Sequence, residues 1–246
     1  MNSGLYSALS GNLAAMKRMD IISNNLANVN TPGFKKDKMN FESMLSSITD
    51  PPAFPPSTTA DPILLKDSVY IDYNPGPVSQ TGNPFDMAID GDGFFQVTTP
   101  NGPAYTRQGN FRLTADGTLV TSDGFPVQGQ GGPIRIVTGG NVEIDSKGVV
   151  TVDDTQVVGT ISIVDLPKPY ALTKIGSALF VSTDTETIPT TATGELRQRS
   201  LEGSNVETIS EMVQMIENSR YYDSCQRAIL SFNDMTSKAA NELGRL

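Results

Sequence analysis

Few of the side chains that carry most enzyme chemistry are present in this sequence. There is no histidine among the 246 residues, which excludes Ser-His triads, His-based acid–base catalysis and His-ligated metals. Cys225 is the single cysteine, so neither an internal disulfide nor a Cys-rich metal cluster can form. On a helix it reads as a small buried hydrophobe rather than a reactive thiol. Asp90-Gly91-Asp92-Gly93 has the alternating carboxylates of a calcium loop. An EF-hand needs Asp or Asn at the next alternate position, where Phe94 stands, so a hairpin turn is the better reading. Gly129, Gly131 and Gly132 lack the G-x-G-x-x-G spacing and run into Pro133 instead of a helix. Asp153 and Asp154 adjoin in a polar turn, where carboxylates are solvated more often than catalytic. These residues compose no catalytic centre, and they imply no cofactor and no metal.

The elements that would position any site change period along the chain. Leu5, Leu9, Asn12, Met16, Met19, Ser23 and Leu26 recur at alternating spacings of four and three, the seam of a heptad helix. Ala8, Ala15 and Ile22 lie on its flank. The Asn, Thr, Pro and Gly cluster from Asn28 to Gly33 should end it. A second short helix is expected with Phe41, Met44, Leu45 and Ile48 on one face. Residues 49–62 contain five prolines in fourteen positions and read as a stiff, extended linker.

From about 68 to 195 the apolar residues alternate instead, as in Val69/Ile71/Tyr73, Ile134/Ile136 and Ile161/Ile163. Asn101-Gly102, Asp116-Gly117, Asp123-Gly124 and Lys147-Gly148 punctuate them as hairpin turns. This is an all-β body. The pattern then returns to helix. Ser204 and Glu207 form a capping box that opens a helix near Asn205. Its seam runs through Ile209, Met212, Ile216 and Ser219, resuming at Tyr222, Cys225, Ile229, Phe232, Thr236, Ala239, Leu243 and Leu246. Consecutive spacings of three near Ser219 interrupt it and should overwind the helix locally. A helix of ~40 residues spans about 60 Å, more than a β body of this size can cover, which favours helices that pair with each other and with neighbouring copies.

The expected fold class is therefore α+β: long N- and C-terminal helices forming a coiled-coil-like pair, with a central all-β domain inserted between them. The expected domains are 1–35 (first helix), 36–67 (short helix and linker), 68–195 (β domain) and 196–246 (last helix). Polar seam positions predict ends that order only on docking, around a protease-resistant core of about 65–195. The net charge is −9, carried by the middle of the chain: residues 1–38 sum to +3 and residues 196–246 to −1. An acidic body argues against nucleic-acid binding. No stretch reaches the ~20 apolar residues of a membrane span. The start lacks the basic and apolar regions of a signal peptide, which implies a cytoplasmic protein or one exported by a route that ignores such signals.

The segment SNNLANVNTPGFKK, Ser23 to Lys36, resembles the N-terminal signature of the flagellar axial family of rod, hook and hook-associated proteins. In that family NNLAN ends the first helix and T-x-GFK opens an extended segment. Asn24, Asn25, Leu26, Ala27, Asn28, Thr31, Gly33 and Phe34 match. The resemblance continues through AIDGDGFFQV (Ala88 to Val97), YTRQGNF and DGTLVTSDGFPVQG (Tyr105 to Gly129), and ends with LEGSNVETISEMVQMIENSRYYD (Leu201 to Asp223). These blocks follow the family's order over nearly the whole chain. There is no room for the extra outer domain of hook proteins, so the rod is the nearer branch. The LEGSNV form and the Pro-rich linker are similar to the proximal-rod type; the distal-rod type is the alternative.

The resemblance implies a structural, non-enzymatic subunit that transmits torque in the basal-body rod, in the periplasm, and leaves the cell through the flagellar type III export apparatus. Its partners would be that apparatus, other rod proteins and copies of itself, with no nucleic acid and no membrane insertion. The assembly interface is expected at Leu5, Leu9, Met16, Met19, Asn24, Asn25, Leu26, Asn28, Gly33 and Phe34 near the start. Near the end it is expected at Asn205, Val206, Met212, Val213, Ile216, Tyr222, Ile229 and Phe232. Two rival classes are a secreted cell-wall hydrolase working with two carboxylates, and a small-ligand binding module, which would need a deep apolar pocket.

Overall fold

A computed structural model describes residues 2–43, 65–136, 140–153, 156–176, 178–183 and 188–243. Two helices, α1 (Asn2–Ala27) and α2 (Thr208–Leu243), flank a mostly β middle, so the class is α+β. The chain divides into two compact units. One comprises Met1–Ala27, Asp37–Asp72 and Glu207–Leu246, the other Asn28–Lys36 and Tyr73–Val206. The expected division at 68 and 195 differs from this at both ends.

In the first unit α1 packs antiparallel on α2. Asn218 Nδ2 donates to the Ala15 carbonyl at 2.8 Å, and Asn25 Nδ2 to Glu211 Oε2 at 3.4 Å. Later residues of α1 thus meet earlier ones of α2. The side of α2 with reduced exposure runs through Glu211, Met215, Asn218, Tyr222, Cys225, Ile229 and Phe232, an unbroken alternation of four and three. The expected interruption near Ser219 is absent, because the first half of the seam is Glu211, Met215 and Asn218 instead of Ile209, Met212, Ile216 and Ser219. Polar residues take these positions because α1 supplies their hydrogen-bond partners. On α1 the buried positions are Gly11, Ala14, Ala15, Ile22 and Asn25, so the flank expected from sequence is the packing face. A Cβ on Gly11 would stand 2.9 Å from the Tyr221 hydroxyl and 3.3 Å from Cys225 Sγ; the absence of a side chain there lets the helices approach closely.

Strands β1 (Asp37–Ser43) and β2 (Leu65–Ile71) pair antiparallel within the same unit, with Lys38 opposite Tyr70 and Asn40 opposite Ser68. Phe41 is therefore on a strand and not on a short helix; Met44, Leu45, Ile48 and the Pro-rich stretch 49–62 lie outside the described residues. The Asn25 side chain joins α1 to this hairpin, donating to the Asp37 carbonyl at 2.9 Å and accepting from its amide at 3.0 Å.

The second unit is built on a six-stranded sheet, in spatial order Leu172–Ile175, Leu179–Ser182, Gly102–Thr106, Phe94–Thr99, Ile163–Asp165 and Thr190–Thr191. Smaller sheets pack around one core that includes Phe95, Val97, Phe111, Leu119, Val127, Ile136, Val150 and Ile161. Phe95 meets Phe111 edge-on at 5.0 Å. The Gly of each expected turn pair has positive φ, between 76° and 122°, a conformation glycine adopts without steric cost. Asp90-Gly91-Asp92-Gly93 is not a hairpin turn. Met87–Asp90 pairs with Glu195–Gln198, while Phe94–Thr99 pairs with Gly102–Thr106, so the four residues turn a corner between two sheets.

α2 begins later than its expected capping box. Glu211 donates its amide to the Glu207 carbonyl at 3.0 Å, which places the first helical turn after Glu207. Ser204 Oγ instead accepts from the Val206 amide at 3.3 Å. Asn205 lies in a bend, its amide on the Phe34 carbonyl at 3.3 Å and its Oδ1 on the Lys36 amide at 2.7 Å, and these bonds hold it outside the helix. The strands Glu195–Gln198 and Ser200–Glu202 belong to the β unit, so the folded core extends beyond 65–195.

A fragment of residues 28–206 is accordingly expected to unfold cooperatively in urea, followed by circular dichroism. A 65–195 fragment, lacking Lys35 and Glu202, should show no cooperative transition. Equal stability of the two would show that the added segments are ornaments to the β core.

Candidate functional site

Three distant segments meet at one buried ionic cluster. The chain leaves α1 through Asn28–Lys36 and makes its tight turn at Gly33, whose φ is +68°. A Cβ there would lie 2.3 Å from the carbonyl carbon of Arg107, so both conformation and space require glycine. The Gly33 amide donates to the Glu202 carbonyl at 2.8 Å. Phe34 is fully buried, with the Lys174 ammonium 4.3 Å from its ring centre. Lys35 then turns inward. Its Nζ donates to Glu202 Oε1 at 2.5 Å and to the Asn74 carbonyl at 2.9 Å. The same oxygen accepts from the Gly76 amide at 3.0 Å.

Arg107 holds the second carboxylate oxygen at 3.3 Å through NH1 and donates from NH2 to the Gly91 carbonyl at 2.7 Å. Side-chain exposure is 1% for Lys35 and Glu202 and 5% for Arg107. Charges this deep persist only when paired and hydrogen-bonded. By contrast the Lys38–Asp72 pair, at 2.7 Å, is partly open, its lysine side chain 43% exposed. The hydrogen bond to Asp72 lifts the Lys38 pKa above the ordinary lysine value. Its stabilising contribution is therefore complete below that ordinary value and is lost as pH rises through the raised one.

The second feature is apolar surface on the helices. Leu9 (47% exposed), Leu13 and Met16 line one face of α1, and Ile209 (80%), Met212, Val213 and Ile216 (56%) line one of α2. Both sets are spaced as helix neighbours and both lie off the α1–α2 seam. Large apolar side chains are thus left in water on the outer faces of both helices.

The residues expected at an assembly interface fall into three groups. Leu9, Met16, Asn24, Met212, Val213 and Ile216 are exposed. Leu5, Met19, Leu26, Tyr222, Ile229 and Phe232 are half-buried on the helices, where Asn25 is buried. Gly33, Phe34 and Val206 are buried in the β unit, where Asn28 and Asn205 are half-buried. Phe34, Val206 and Asn205 thus serve the internal joint of that unit. Sequence reasoning missed Leu13, and above all Lys35, Arg107 and Glu202. The available signal was a charge inside each of three matched blocks, GFKK, YTRQGNF and LEGSNV.

No group of residues suited to a metal occurs among the described residues, and no helix there is long and apolar enough to cross a membrane. A cavity of about 560 Å³ has a mixed lining, with Gln96, Gln130, Ser146 and Thr190 beside Ile161, Ile163, Val164 and Pro189. Asp153 is engaged by the Asn141 amide at 2.9 Å; Asp154 lies outside the described residues.

Residues 5–35 match the model of the flagella basal body rod protein family. Residues 88–152 match the flagellar hook protein FlgE/F/G D1 domain, and residues 197–243 the C-terminal region of flagellar basal body rod FlgEFG proteins. The chain is 36% identical over 261 residues to the flagellar basal-body rod protein FlgG of Bacillus subtilis, covering 98% of this chain and 99% of the relative. It is 32% identical over 260 residues to FlgF of Caulobacter vibrioides, covering all of both chains. With FlgF of Rhizobium meliloti it shares 32% over 248 residues, covering 99% of each.

Glu202→Gln keeps the shape of the cluster but leaves two buried cations without their carboxylate. Urea denaturation should show a loss of about 3–5 kcal/mol. Lys38→Ala, which removes the more open pair, should cost no more than about 1 kcal/mol.

Proposed function

The chain belongs to the family of flagellar rod and hook proteins, and from that membership we propose how its geometry serves as a structural subunit of the basal-body rod. Its place is the flagellar basal body, and its work is mechanical. The observation that carries this is the apolar surface left outside the contact of α1 and α2. Their mutual contact mixes Gly11, Ala15, Asn25, Glu211 and Asn218 with Ile22, Met215, Ile229 and Phe232, while Leu9, Leu13, Met16, Ile209, Met212 and Ile216 still face outward. A soluble monomer gains nothing from that arrangement, whereas a polymer does: each copy buries on its neighbours what it exposes alone. Heterologous contacts that do not close on themselves extend into a filament. In the assembled rod the helices pack in coiled-coil fashion, α1 and α2 of one copy against those of others, and the acidic β unit makes lateral contacts. The subunit travels through the flagellar type III apparatus and works in the periplasm. Torque passes through many such contacts in parallel, and no step requires catalysis.

Of the two rod types, we favour the proximal. Identity alone does not separate them, and the Bacillus FlgG relative favours the distal type. The alignment to the Rhizobium FlgF relative needs 248 positions for a chain of 246 residues, whereas that to the Bacillus FlgG needs 261. The alignment to the Caulobacter FlgF needs 260, so length does not separate the types either, and the preference rests on the LEGSNV form and the Pro-rich stretch of the sequence. Cryo-electron microscopy of isolated basal bodies carrying a tagged copy should place the tag at the membrane end of the rod. A tag at the hook end would assign the distal type.

Ile216→Asp tests the assembly surface. Ile216 is 56% exposed in the single chain, so the variant should fold and melt like the parent. Burying it on a neighbour is worth roughly 1.5–3 kcal/mol per copy, and a buried unpaired carboxylate adds a further penalty. Cells should make and export the variant but lack complete rods and not swim. Normal motility would remove this face from the interface.

A further inference from the structure

The outer faces of α1 and α2 are apolar over different stretches of the helix pair and polar elsewhere. Leu13 is two residues from both Gly11 and Ala15 of the seam, and Val213 is two residues from both Glu211 and Met215. Two residues are rather more than half a turn. The stripe of Leu9, Leu13 and Met16 and the stripe of Ile209, Val213 and Ile216 therefore each point away from their helix's own partner. Both stripes step by four and then three residues, and each is about 11 Å long.

The two stripes stand at different heights. Ala15 lies beside Asn218, Asn25 beside Glu211, and Gly11 beside Tyr221 and Cys225. Leu9 to Met16 are therefore level with about residues 218–225 of α2, and Ile209 to Ile216 with about residues 18–25 of α1. What the other helix turns outward at those heights is polar. On α2 it is Arg220, Asp223, Ser224 and Arg227, and on α1 it is Asp20, Ser23 and Asn24, all exposed. A second copy set level with the first would press Leu9, Leu13 and Met16 onto Arg220, Asp223 and Arg227. That removes water from charges which leucine and methionine cannot pair. Sliding the second copy by about nine residues along the helix axis, roughly 13 Å, brings the α1 stripe opposite Ile216, Val213 and Ile209 instead.

We propose that the α1 stripe of one copy docks antiparallel on the α2 stripe of a second copy displaced by that amount. A second copy as partner follows from the rod reading, in which many copies stand side by side; what is added is the face and the offset. One copy offers its α1 stripe and the other its α2 stripe, so each contact leaves one stripe of either kind open for the next. Every contact adds the same axial step, so the series climbs and cannot close into a flat ring.

Disulfide trapping in isolated basal bodies tests this, with Cys225→Ser removing the native thiol throughout. Leu13→Cys and Val213→Cys are combined in one chain. Position 13 is level with about residue 221, so within one chain it lies ~12 Å along the axis from position 213 and on the opposite outer face. No disulfide spans that, because the Cα atoms must come within about 7 Å. Mild oxidation with copper–phenanthroline should give dimers and longer multimers on a non-reducing gel, and reduction should abolish them. Leu9→Cys with Ile216→Cys, a pair in the same register, should behave alike. Leu13→Cys with Arg220→Cys, the level register, should stay monomeric, as should Leu13→Cys alone. Linkage in the level register, linkage of Leu13→Cys alone, or a mixed product with a different rod protein would overturn the proposal. So would complete rods in which neither offset pair links, an outcome that leaves the rod reading intact. Absence of the protein from isolated rods would instead overturn that reading, and this contact with it.

Discussion

One carboxylate, Glu202, compensates two buried cations, and the β unit is organised around that. Lys35 comes from the segment after α1, Arg107 from the end of the Gly102–Thr106 strand, and Glu202 from the strand before α2. None can be buried alone, because an unpaired charge in this interior costs several kcal/mol. The three segments must therefore dock together. The surrounding backbone follows that requirement: Gly33 passes without a side chain across Arg107, Gly76 donates to the same carboxylate, and Asn205 ties Lys36 to Asn74.

The helical unit is arranged on an opposite economy. Its internal seam combines apolar contacts with hydrogen bonds such as Asn218 to the Ala15 carbonyl and Asn25 to Glu211. Each is worth about 1 kcal/mol net. A second apolar set, including Leu9, Leu13, Ile209 and Ile216, stays outside the pair. Stability of the single chain and stability of an assembly are thus assigned to different faces of the same two helices, so either can change without the other.

What the sequence made legible was local. Turn glycines, the end of α1 near Asn28 and the length of α2 follow from backbone sterics and short-range pattern, and these agree with the structure. The α2 seam agrees with the sequence from Tyr222 to Phe232 and departs from it before Ser219, where apolar periodicity points to Ile209, Met212 and Ile216. Glu211 and Asn218 look like solvent positions until α1 supplies their partners, and Ile209 and Ile216 look like core until that face is found open. The ionic cluster was illegible for a related reason. Lys35 and Glu202 are 167 residues apart and Arg107 and Glu202 are 95 apart, and an isolated charge is read as surface by default. The corner at Asp90–Gly93 was likewise a matter of which strands pair, which no window of a few residues contains.

The separation of Lys35 from Glu202 also sets a clock. Closing a contact over most of the chain carries a large entropic cost before it yields any energy, so folds of this kind close slowly. Because Glu202 is on the last strand before α2, the carboxylate emerges only after the other strands of the β unit have already been made. Until then Lys35 and Arg107 stay hydrated, and the first strands wait beside them without their interior counter-ion. Folding of the β unit is in this sense postponed by sequence order: a chain passing tail-last through a ribosome exit or any narrow conduit stays pliable until Glu202 has cleared it.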